Sequence, residues 1–85
     1  MYETLMLSTL PLGESAYVTE ITAQPAMARR LADLGLIRGT GVTCVLKSPA
    51  GDPCAYLIRG ALIALRQADA DHIWMERLQD GVVRK

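Results

Sequence analysis

The chain has 85 residues, 51% of them hydrophobic and 21% charged, with nine basic and nine acidic side chains that cancel. That is the composition of one globular domain and excludes a disordered segment. A chain without net charge has no overall field to gather nucleic acid or an anionic membrane, its two cysteines are too few for a disulfide scaffold, and no apolar run approaches the roughly 20 residues of a membrane span.

Residues 5–10 are apolar and end at Pro11, which predicts a single turn or an extended lead-in. Glu3 and the absence of an early basic cluster argue against a signal segment, so the chain is expected to be cytoplasmic. The run AYVTEI, 16–21, alternates and is rich in β-formers, and reads as the first strand. Thr22 is a candidate cap, and Pro25 suits a first helical position. Met27, Leu31 and Leu34 then recur at helical spacing, predicting a helix over 25–34 that stops at Gly35.

A glycine-marked turn leads into two strands, 42–47 and 54–59, joined by the loop SPAGDP. A fourth strand is expected at 62–66, one helical turn in ADADHI, and a last strand at 74–78. About five short strands with little helix point to a mainly β fold, a small barrel that removes exposed sheet edges by closure. A single domain is expected over 1–80, with 81–85 as a frayed tail. The expected core comprises Val18, Ile21, Met27, Leu31, Leu34, Val42, Leu57, Leu62 and Leu65.

Candidate sites are few, and no nucleophile or general acid stands with a base, so the chain does not read as an enzyme. Cys44 and Cys54 sit on neighbouring strands of one hairpin. They could form a soft-metal or redox pair, but the spacing is not a C-x-x-C knuckle and no second pair completes a four-ligand site. Cysteine is also among the most buried residue types, which favours inert thiols. His72, the only imidazole, and Asp69 would share a face of the ADADHI turn. Together they make an incomplete site for a divalent ion, iron or zinc, adventitious or bridging two molecules. Arg29, Arg30 and Arg38 cluster around the helix and its exit turn. They are either a solvated face or the rim of a partner-binding surface, with Leu36 and Ile37 as its apolar anchors.

The segments LADLGLIRGTGV, SPAGDP and IRGALIALRQADADHI, in this order and spacing, resemble the FeoA family across roughly residues 7–76. Members are small cytoplasmic proteins that accompany the FeoB ferrous iron transporter of bacteria. The resemblance implies an SH3-like barrel, here five-stranded with one principal short α-helix. It also implies a supporting or regulatory role through contact with FeoB, a membrane protein with a cytoplasmic GTPase domain. No cofactor is then required, the membrane is reached only through the partner, and a homodimer is compatible with this reading. No phosphate loop is present, so any GTPase activity belongs to the partner. Two other readings compete. A peptide-binding adaptor of SH3 type needs a row of exposed aromatics, and here Tyr2, Tyr17, Tyr56 and Trp74 are scattered. A small nucleic-acid-binding barrel is disfavoured by zero net charge and by arginines without interleaved aromatics.

Overall fold

Pairing between distant strands organises the chain, seen in a computed structural model that describes residues 2–78. In chain order the elements are strand β1 (Tyr2–Met6), a 3-10 turn (Leu7–Thr9), β2 (Ser15–Ile21), helix α1 (Pro25–Asp33), β3 (Gly41–Lys47), β4 (Cys54–Ile58), β5 (Ala61–Leu65), the short helix α2 (Gln67–Ala70) and β6 (Ile73–Leu78). The described strands form one sheet in the order β1-β6-β2-β3-β4-β5, with every neighbouring pair antiparallel. The expected mainly β fold with one principal helix is what forms, with six strands instead of five. The added strand is β1, which lies in register with β6, Leu5 opposite Met75 and Tyr2 opposite Leu78. The anticipated tail, 81–85, lies outside the described residues.

All six strands supply the same core, so the sheet must coil around it. Leu5, Val18, Val42, Cys44, Tyr56, Ile58, Leu65, Ile73 and Met75 point inward, joined by Leu7 and Leu10 from the N-terminal turn, Leu31 and Leu36 from α1 and its exit, and Ala70 from α2. Register shifts after Val18 in β2 and after Cys44 in β3 mark bulges, which bend and twist a sheet. Arg77 ties the sheet's edge to a turn, pairing with Glu3 of β1 at 2.8 Å and with Glu14 ahead of β2.

The expected core is correct in Val18, Leu31, Val42 and Leu65, with Ile21 and Met27 half-buried against it. Three of its leucines belong elsewhere: Leu34 is 39% exposed, Leu57 42% and Leu62 60%. In β4 the inward residues are Cys54, Tyr56 and Ile58, so Leu57 faces out, directly opposite Leu62 of β5. Both phases of β4 are apolar, and alternation alone could not choose between them. Leu34 sits at the helix C-cap, where the chain is already turning away.

Candidate partner-binding surface

Helix α1 begins as the sequence predicts, with Pro25 in its first turn, but Thr22 does not cap it. Its N–H and hydroxyl both reach the His72 carbonyl instead, at 2.9 and 3.3 Å. At the far end the Leu36 N–H bonds the Leu31 carbonyl at 2.9 Å, and the Gly35 N–H bonds that of Ala32 at 2.9 Å. This pair of bonds is a Schellman motif, which brings the residue after the glycine back against the last helical turn.

The motif corrects the expectation for Leu36, which is fully buried with Leu31 and cannot anchor a partner. A glycine followed by an aliphatic residue was the available signal. Ile37, one residue on, is 44% exposed, and Leu34 at the C-cap is 39% exposed. The exposed aliphatics of the helix exit are therefore Leu34 and Ile37.

The exit turn is held firmly. The buried Thr40 hydroxyl donates to the Gly35 carbonyl at 2.9 Å. The Gly39 N–H reaches the Val18 carbonyl at 2.7 Å, and the Val18 N–H reaches that of Thr40 at 2.9 Å. The Arg38 Nε donates to the Thr19 carbonyl at 3.1 Å, at the β2 bulge. Arg30 approaches Asp69 of α2 at 3.9 Å with most of its side chain in water, a pairing of little energetic weight. Arg29 and Ile37 lie exposed on the same elements. The structure thus gathers Arg29, Arg30, Ile37 and Arg38 around the helix and its exit, and removes Leu36.

Asp69 is half-buried, and His72 is exposed beside it in the turn that follows α2. Among the described residues no three histidine, cysteine or acidic side chains come together to hold a metal ion. Asp71 accepts from the Ser8 hydroxyl, and Asp52 from the Gln67 N–H at 2.9 Å. Tyr56 is in the core, which takes one aromatic away from any SH3-type peptide groove.

Both cysteines are buried free thiols. Burial pushes the Cys44 thiol above its ordinary value of 9.0, against an opposing pull from Lys47. Burial likewise raises the Tyr56 hydroxyl, helped by the neighbouring Cys54. Because both sulfurs are buried, the native protein should leave both thiols unmodified by a thiol reagent at about pH 8, and both should react once it is denatured. Above pH 9.0, Cys44 of the unfolded chain ionises first, so stability should fall as pH rises further.

Residues 5–77 match the FeoA domain family. The FeoA protein of Chlorobium tepidum has the same fold with a TM-score of 0.80 and 37% identity, the match covering 93% of this chain and 74% of that one. The FeoA of Stenotrophomonas maltophilia, solved with zinc and described as a prokaryotic SH3 domain protein, is 32% identical with a TM-score of 0.75, over 89% of this chain and 99% of that one. A Porphyromonas gingivalis protein described as a fusion of Fe(2+) transport protein A with the Fe(2+) transporter FeoB is 29% identical over 77 residues, 91% of this chain. This chain spans only 9% of that fusion's length. With the match running through all six strands, the chain belongs to the FeoA domain family, which is linked to ferrous iron transport, and has its SH3-like fold.

Proposed function

We propose that this protein is an accessory module of ferrous iron transport that works by docking on a FeoB-type membrane transporter with a GTPase domain. The observation that carries this reading is the Porphyromonas gingivalis fusion, in which a related domain and FeoB share one chain. Fusion holds two units at high effective concentration, and such a link serves partners that meet. On this reading the chain works in the cytoplasm and reaches the membrane only through the transporter. No helix among the described residues is long and apolar enough to cross a membrane. Iron is the transporter's cargo here, and His72 with Asp69 would hold a divalent ion only with water or a second molecule.

The contact surface in this reading is the helix α1 exit, with Ile37 as anchor and Arg29, Arg30 and Arg38 as rim. Rim charges chiefly set association rate and salt dependence, while buried aliphatics set residence time. Binding to purified transporter in nanodiscs tests it. Arg30→Glu should slow association at low salt and matter little at high salt. Ile37→Asp should weaken binding roughly 30-fold or more at any salt, the loss of one interface hot spot. Full binding and full ferrous uptake by both variants would move the interface elsewhere, first to the hairpin tip at 48–53.

A further inference from the structure

The turn joining β4 to β5 is a two-residue hairpin, Arg59-Gly60, closed by the pair Ile58 and Ala61. Both turn residues have positive φ, 51° for Arg59 and 83° for Gly60. Such a turn favours Asn-Gly, because only glycine and short polar side chains enter the left-handed region readily. Arg59 is the one non-glycine residue with positive φ among those described. A long basic side chain there works against the backbone, and strain of this kind tends to collect at functional positions.

The side chain is also aimed. A Cβ placed on Gly35 would meet the Arg59 Cδ at 2.9 Å and its Cγ at 3.5 Å, so the arginine stem lies flat over the bare Gly35 backbone. That brings it to the helix exit, where Leu34 and Ile37 are exposed on either side of Gly35 in the chain. Of the other arginines of α1 and its exit, Arg38 is bonded to the Thr19 carbonyl and Arg30 approaches Asp69. Among the described residues the Arg59 guanidinium has no hydrogen bond or ion pair. Helix α1, its exit and the β4–β5 turn carry Arg29, Arg30, Arg38 and Arg59 against Asp33, an excess of positive charge on these elements of a chain that is neutral as a whole.

We propose that Arg59 is a specificity residue of the docking surface, holding its guanidinium ready for a carboxylate on an acidic segment of the transporter that also presents an aliphatic side chain to Leu34 and Ile37. The planar guanidinium fork pairs bidentately with a carboxylate, and the occupant's negative charge complements the excess of arginine. This inference rests on the docking proposed above and adds the partner's chemistry and a second element, the β4–β5 turn, to the site.

The test compares the full chain with Arg59→Asn and Arg59→Lys, measuring affinity for the purified transporter in nanodiscs beside thermal melting. Arg59→Asn should weaken binding about tenfold at low salt, with the difference shrinking at high salt. Its melting temperature should be equal or higher, because Asn suits the left-handed turn. Arg59→Lys, which keeps the charge and loses the fork, should fall between. Parent-like affinity of Arg59→Asn would overturn the role of Arg59 and leave the docking reading standing. A fall in melting temperature that accounts for lost binding would also overturn it, since Arg59 would then be only a cover for Gly35. A parent chain that does not bind the transporter at all would overturn both.

Discussion

Leu36→Asp should leave the protein largely unfolded, while Ile37→Asp, one residue away, should fold with nearly parental stability. Leu36 is fully buried and packs with Leu31. Removing a buried leucine side chain costs about 2–5 kcal/mol, and a carboxylate without a partner in its place adds several more. Together these approach or exceed the total stability of about 5–15 kcal/mol expected of a small domain. Ile37 is 44% exposed, so its aspartate keeps its water and should change stability by no more than roughly 1 kcal/mol. Circular dichroism with urea titration reads both. A cooperative, parent-like transition for Leu36→Asp would mean that Leu36 is not in the core, and the Schellman geometry would be wrong. The contrast also gives the binding experiments their control, because a variant that fails to dock must first be shown to fold.

Gly35→Val should lower stability by about 2–4 kcal/mol, chiefly through the backbone. Gly35 has φ of 100°, where a β-branched residue is a genuine outlier. It also carries the helix-ending bonds, so the helix exit cannot relax without giving up the contact between Leu31 and Leu36. The added side chain meets the Arg59 stem and, at 3.4 Å, the Ile58 Cγ2. The arginine stem is flexible and can swing aside, whereas Ile58 is fully buried and cannot. The double variant Gly35→Val with Arg59→Gly separates the two effects. It removes the collision with the stem and leaves the φ unchanged, so it should recover at most about 1 kcal/mol of the loss. Full recovery would place the cost in the contact with Arg59 and not in the backbone.

Helix α1, its stop at Gly35, the hairpin around SPAGDP and the last strand were legible because each is specified locally. Proline, glycine and helical spacing act over a few residues, and the three segments shared with the FeoA family are built on those same signals. Of the residues proposed for docking, Arg29, Arg30, Ile37 and Arg38 are exposed on the helix and its exit, while Leu36 is buried. Telling Leu36 from Ile37 needed the bonds that fold the chain back over the last turn. Strand β1 could not be read because its partner, β6, lies at the other end of the chain, and a short strand gains its hydrogen bonds only once that partner is beside it. Leu57 and Leu62 are ambiguous in the sequence because β4 and β5 are apolar on both faces; only the coiling of the sheet chose which face is inside. The approach of Arg59 to Gly35 likewise joins residues far apart in the chain. Local sequence determines the helix, its stop and the hairpin turns, since propensity and turn chemistry act between neighbours. Which faces and side chains meet is decided by tertiary packing, since burial is a property of the assembled sheet and helix together.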